Sequence, residues 1–381
     1  MTPLLGLRVV EIGDRIGTSL TGGLLASLGA DVGILHPTEP GAHKWRNPAA
    51  ACAGKRLVVA SDISGELAVA DIVLVSSDLA PLPPLPPNAK RIICDITAHN
   101  PASPRAGQPD SDVLVQALTG LMDTTGEADK PPVPNGFPIL EGLASFFATA
   151  GVLAALRVRA RNGMGQDVAV ALHDCGVATL HSFLPLHITG KPISRIGNRH
   201  VLAAPWNAYP ASDGNLIICT VTDEQWRKLV TALGAPEFGN DPCFATQAAR
   251  MADIPLLDAT VAALTGRFTV AHIVAALEPA GIPCAPVTPV SALPTEANLT
   301  HRGSIALAKN PLTGAEVPIV ARWMLDRTWG TGRPDTAAPE ALPLTDEDKR
   351  LIDERLEACR LNPQAGSSWE EVYARIISRR K

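Results

Sequence analysis

L-G-L-R-V-V-E-I-G-D-R-I-G-T-S-L-T-G-G-L-L-A-S-L-G-A-D-V-G-I-L, residues 5–35, decides the fold. Its first eight residues form a near-continuous apolar run, the pattern of a strand covered on both faces of a parallel sheet. Gly13 and Gly17 mark a turn, and an apolar helix follows from about Leu20 to Leu28. A second strand runs from Ala30 to Leu35. Strand, glycine turn, helix and strand make a βαβ unit with a right-handed crossover. A nicotinamide site would need Gly-x-Gly-x-x-Gly at the turn and an acid after the second strand. Here the turn reads G-D-R-I-G and His36 stands at the acidic position, so dinucleotide binding is rejected.

Further strands are expected at 57–60, 70–75, 91–96 and 167–172. Residues 78–88 are proline-rich and read as a stiff polyproline connector. Asn135–Ala155, N-G-F-P-I-L-E-G-L-A-S-F-F-A-T-A-G-V-L-A-A, begins as a turn and becomes an apolar helix. Glu141 lies at the mouth of that helix, and no other charge occurs before Arg157. A carboxylate there meets exposed N–H groups and the positive end of the helix dipole, which favours its ionised form. The same placement also suits an acid that only tunes a helix start.

Apolar residues make up 46% of the 381 residues, enough for a large core, while aromatics are only 4%. Ala, Leu and Val must therefore fill the interior. The net charge of −5 argues against nucleic acid or an anionic membrane as the main partner. No apolar run of about 18 residues is apparent, so a cytoplasmic protein without a membrane span is expected. Seven scattered cysteines without a Cys-x-x-Cys pair suggest neither a disulfide framework nor a zinc site. His173, His181 and His187 share a helical stretch, but no carboxylate completes a metal-ligand set.

The composition changes near residue 195. A turn-rich opening at Asn207–Asp213 precedes a strand at 215–221, helices at 224–233, 256–268 and 270–277, and an extended segment at 283–287. This reads as a smaller α/β unit. A hairpin turn is expected at Pro311–Gly314. Residues 330–344 read as a linker, and charged helices follow at 344–360 and from Ser367 onward.

Six stretches in order carry a resemblance: G-L-R-V-V-E-I with L-L-A-S-L-G-A-D-V, G-K-R-L before Asp62, D-S-D-V-L-V-Q-A-L-T-G-L-M-D-T-T-G, P-I-L-E-G-L-A through G-M-G-Q-D-V-A-V-A-L, G-N-R-H with A-P-W-N-A-Y-P-A-S-D-G, and A-G-I-P-C-A-P-V. Over roughly residues 3–330 the chain resembles the class III CoA-transferases and the related α-methylacyl-CoA racemases. The resemblance implies a doubly wound, mostly parallel α/β large domain, a smaller central α/β domain, and two subunits interlocked like linked rings. The implied layout is 1–199 for the first part of the large domain, 200–304 for the small domain, 305–343 for the return and linker, and 344–381 for a helical tail. The tail also resembles the antitoxin component of bacterial addiction modules.

In this family an aspartate attacks an acyl-CoA thioester and becomes an anhydride, then an enzyme-bound CoA thioester, before the acceptor acid completes the exchange. Here Glu141 stands in the aspartate's place. Its extra methylene moves the carboxylate by about 1.5 Å. By position, Ile16, Lys55, Arg56 and Gln116 would line the CoA pocket, with Lys55 and Arg56 as charge-assisted donors to phosphate. No tightly bound cofactor is expected; coenzyme A is a co-substrate. The expected partners are an acyl-CoA, a carboxylic acid acceptor, and a second copy or an aspartate-bearing paralogue in the dimer. The alternatives are a non-catalytic partner subunit and an acyl-CoA racemase or isomerase. The latter needs a second acid/base, and no His stands at the Gln116 approach.

Overall fold

The computed structural model describes residues 3–13, 15–35, 48–58, 62–79, 82–190, 195–310 and 314–320. The chain divides into two compact units, 1–325 and 326–381. The expectations for His36, the 330–344 linker and the helical tail lie outside the described residues.

The first elements are β1 (Arg8–Ile12), α1 (Ile16–Ser27), β2 (Asp31–Leu35), α2 (Pro48–Cys52), β3 (Arg56–Val58), α3 (Ile63–Val69), β4 (Ile72–Val75) and β5 (Ile92–Thr97). Then come α4 (Asp112–Leu118), α5 (Ile139–Asn162), β6 (Asp167–Ala171), α6 (Leu172–Thr179) and α7 (Phe183–Ile188). The six strands form one sheet in the order β3-β2-β1-β4-β5-β6, every pair parallel. Val10 of β1 stands between Gly33 of β2 and Val73 of β4. All four residues of β4 are buried, as its unbroken apolar sequence requires for a strand covered on both faces. The chain winds outward from β1 to β3, then crosses back to β4 on β1's other side. The gap beyond the carboxyl ends of β1 and β4 is therefore a topological switch point, where open α/β sheets place their ligands.

Helix α5 anchors this layer. Its residues Leu140, Ala144, Ala148, Val152 and Ala155 recur every three or four positions and have no exposed surface. Four of the five are small or β-branched, which lets neighbouring backbone come close. Arg159 and Arg161 in the last turn suit the negative end of the dipole. Gly163 ends the helix in the left-handed region (φ 77°), donating its N–H to the Arg159 carbonyl at 2.8 Å. By length and composition α5 is apolar enough to cross a membrane. That corrects the sequence expectation of no such run; here the helix's apolar stripe belongs to the core over the sheet.

The later elements are β7 (Trp206–Ala211), β8 (Gly214–Cys219), α8 (Asp223–Ala232), α9 (Gln247–Ala252), α10 (Ile254–Thr265), α11 (Val270–Leu277), β9 (Cys284–Pro286), α12 (Ala297–Arg302), β10 (Ile305–Lys309) and β11 (Glu316–Val320). Strands β7, β8 and β9 form an antiparallel sheet in that order. It has its own core, including Tyr209, Leu216, Ile218, Trp226, Leu229, Val261 and Ile273. Thr222 and Gln225 start α8 with a reciprocal capping box. Of the turn-rich opening expected at 207–213, residues 207–211 belong instead to strand β7, and 212–213 form the turn into β8. Pro210 is tolerated because β7 is an edge strand and need not donate on its free side. Strands β10 and β11 pair antiparallel; of the hairpin turn expected at Pro311–Gly314, residues 311–313 lie outside the described residues.

Candidate active site

Three strand ends build the site. Arg15 follows β1, Asp78 follows β4, and Ala98 with His99 follows β5. The Arg15 guanidinium lies against the Asp78 carboxylate in a two-pronged pair, with Nε to Oδ1 at 3.2 Å. Its Nη1 donates to Glu141 Oε1 at 3.0 Å. Nη1 and Nη2 also reach the Asp110 carbonyl at 3.4 and 3.3 Å. Arg15 is 3% exposed and Glu141 6%. A buried carboxylate pair shares one buried guanidinium.

Besides Arg15, Gly17 and Asp112 hold Glu141. Its Oε2 accepts the Gly17 N–H at 2.8 Å, near the start of α1. Its own N–H, one of the free donors of the first turn of α5, donates to Asp112 Oδ2 at 2.9 Å. Asp112 Oδ1 accepts from Gln116 Nε2 at 2.6 Å, and Gln116 Oε1 accepts the Asn135 N–H at 2.9 Å. Gln116 therefore braces the start of α5 through Asp112. Burial pushes the Glu141 carboxyl above its ordinary pKa and the Asp112 charge adds to this; Arg15 and the Gly17 N–H pull the other way without cancelling it.

Gly17 is required by close approach. A Cβ built there would stand 2.9 Å from both the Glu141 carbonyl oxygen and Oε2. Gly17→Ala is expected to displace the carboxylate and lower turnover on the order of 100-fold, since shifts near 1 Å cost that much. Steady-state kinetics of the variant beside wild type measure it.

Ile16 precedes Gly17 at the start of α1, and Gln116 reaches Glu141 through Asp112. Lys55 goes elsewhere. Its Nζ donates to Glu11 Oε2 at 2.6 Å and to the Ser19 carbonyl at 2.7 Å, and neither the Lys55 nor the Glu11 side chain is exposed. The ammonium expected to face phosphate is thus committed inside the fold. Arg56 is on the surface, paired with Glu66 at 2.8 Å and Asp31 at 3.3 Å.

Sequence reading missed Arg15, Asp78, Asp110 and Asp112. The available signal was Arg15 itself, a charge between two glycines just past a buried strand. It also missed His99, which is buried and pairs with Asp110 Oδ2 at 2.7 Å. The His173 ring lies 5.8 Å from that of His99, whereas His181 and His187 stay with their own helical segment.

The family model for CoA-transferase family III matches residues 84–341, more than half of the chain. This chain belongs to CoA-transferase family III. The acetyl-CoA:oxalate CoA-transferase of Acetobacter aceti is 32% identical over 266 residues, covering 67% of this chain and 68% of the relative. The succinate–glutarate CoA-transferase of Agrobacterium fabrum is 28% identical over 337 residues, covering 79% and 84%. Among solved structures, a CaiB/BaiF family protein from Brucella suis superposes with a TM-score of 0.76 at 28% identity, covering 86% of this chain and 93% of that one. The six-stranded parallel sheet accords with that neighbour.

Proposed function

We propose that this family III CoA-transferase moves CoA from an acyl-CoA to a carboxylic acid, with Glu141 as the acyl acceptor. The observation that carries this reading is a buried carboxylate at the start of α5, held by a backbone N–H, at the switch point of the sheet. The carboxylate attacks the thioester carbonyl; a C–O bond forms, the C–S bond breaks, and CoA leaves as thiolate. The thiolate then attacks the Glu141 carbonyl of the anhydride, releasing the donor's acid and leaving a glutamyl-CoA thioester. The acceptor carboxylate attacks that thioester, again expelling thiolate, which takes the acceptor acyl group and restores Glu141. Coenzyme A is a co-substrate, with Ile16 and Gln116 near its reacting end and Arg56 as a surface cation. Acids of the size of oxalate, succinate and glutarate, named for the relatives, are the first substrates to try.

The chain would act in the cytoplasm as an interlocked dimer. The outer side of α5 supports the dimer: Phe146 and Phe147 are about half exposed, an apolar surface of the kind a partner covers.

One observation favours a second reading, a non-catalytic partner subunit. Both Glu141 oxygens are already engaged, one by a guanidinium, in the place where the family carries aspartate. Isotope exchange separates the two. The purified chain alone, given succinyl-CoA and labelled succinate, should move label into the thioester without another acceptor, as a ping-pong enzyme does. Exchange that appears only after adding an aspartate-bearing relative would establish the second reading.

A further inference from the structure

We infer that Arg15 is a carboxylate-binding residue, and that the place it gives Glu141 in the resting protein becomes the seat of the acid substrate once Glu141 is acylated. This rests on Glu141 being the acyl acceptor. In the resting protein Arg15 has two carboxylate partners: Asp78 in a two-pronged pair, and Glu141 through Nη1 alone at 3.0 Å. Anhydride or thioester formation consumes the Glu141 negative charge. Nη1 then faces a neutral acyl oxygen, while Asp78 keeps the guanidinium in place. Asp78 is itself fixed, because its Oδ2 accepts the Ala98 N–H at 2.7 Å.

The result is a buried donor whose anionic partner has gone, beside the atom that must be attacked. A guanidinium prefers a carboxylate and fits its geometry. At rest two carboxyl groups, those of Asp78 and Glu141, share the Arg15 guanidinium. An incoming carboxylate on Nη1 restores that two-to-one arrangement when Glu141 is acylated. The same seat suits the donor's acid as it leaves, since the exchange runs both ways. Arg15 would thus select for an ionised acid, and for its approach to the Glu141 carbonyl.

The test uses the full chain with acetyl-CoA or succinyl-CoA as donor and oxalate or glutarate as acceptor. Two quantities are read: adduct formed on Glu141 from donor alone, and KM for the acceptor. Arg15→Lys keeps a charge but loses the fork. It should raise the acceptor KM by about tenfold or more while the acyl-CoA KM changes little, whatever its effect on the rate of adduct formation from the donor alone. Asp78→Asn keeps an acceptor for Ala98 but frees Arg15 of a competing charge. It should lower the acceptor KM by about threefold, the opposite direction. An unchanged acceptor KM in Arg15→Lys, with the adduct still forming, overturns the inference. If Arg15→Lys does not fold, Asp78→Asn decides, and an unchanged or raised acceptor KM overturns it. A wild-type chain that forms no adduct overturns instead the assignment of Glu141 on which this inference stands.

Discussion

Glu141→Gln lowers CoA transfer by at least about 10³-fold, within the range seen when a covalent nucleophile is removed. The amide has nearly the shape of the acid and can still accept the Gly17 N–H. It has no negative charge with which to open a thioester. It also turns an NH2 group toward Arg15 Nη1, so the variant should carry a stability cost as well, checked by its unfolding curve. Glu141→Asp is the more telling companion. The Gly17 N–H at 2.8 Å and Arg15 Nη1 at 3.0 Å define where a glutamate carboxylate ends. Withdrawing it by one methylene, about 1.5 Å, should cost on the order of 100-fold. If this chain were a degenerate subunit, restoring the family's aspartate would instead raise its activity. Exchange rates of wild type and both variants, assayed side by side, decide between these outcomes.

Lys55→Met destabilises the protein by about 3 kcal/mol and leaves the KM for acyl-CoA unchanged. The Lys55–Glu11 pair joins the loop before β3 to the carboxyl-terminal part of β1, with both side chains enclosed. Helix α1 passes so near that a Cβ on Gly22 would stand 2.5 Å from Glu11 Oε2 and 3.1 Å from Lys55 Nζ. Breaking one side of a buried pair leaves a charge without its counter-ion in a low dielectric, which is worse than having no charges there. The double variant Glu11→Met with Lys55→Met should therefore recover much of the loss. Urea unfolding supplies the stability and steady-state kinetics the KM. A rise in acyl-CoA KM without loss of stability would return Lys55 to the phosphate-binding role expected from sequence.

What could be read from the chain was local. The β1–α1–β2 unit announced itself because its apolar runs match strand and helix lengths and its turn carries glycine. The short helices α2 and α3 did not, since five or seven residues give too few turns to show a period. Strand β7 was hidden by Asn207 and Pro210, which are turn residues taken alone. Pairing with β8 and the burial of Tyr209 override that preference.

The site follows the same division. Glu141 stood out as the one charge at the mouth of an apolar helix. Its partners did not, because Arg15 lies 126 residues earlier and Asp112 lies 29 residues earlier. Only the sheet order brings the ends of β1, β4 and β5 together. Lys55 misled for a related reason. A basic residue after a glycine turn reads as surface, and its partner Glu11 is distant in sequence. An acid inside the apolar run R-V-V-E-I was the clue that a buried cation must meet it.

Trapping the acylated enzyme with hydroxylamine and mapping the modified peptide tests the central claim most directly. An anhydride or thioester on a carboxylate is converted to a stable hydroxamate at the residue that carried it. After incubation with acetyl-CoA or succinyl-CoA, the hydroxamate should lie on Glu141 and be absent when acyl-CoA is omitted. A hydroxamate on Asp78 or Asp112, or none on any carboxylate while exchange proceeds, would contradict the account.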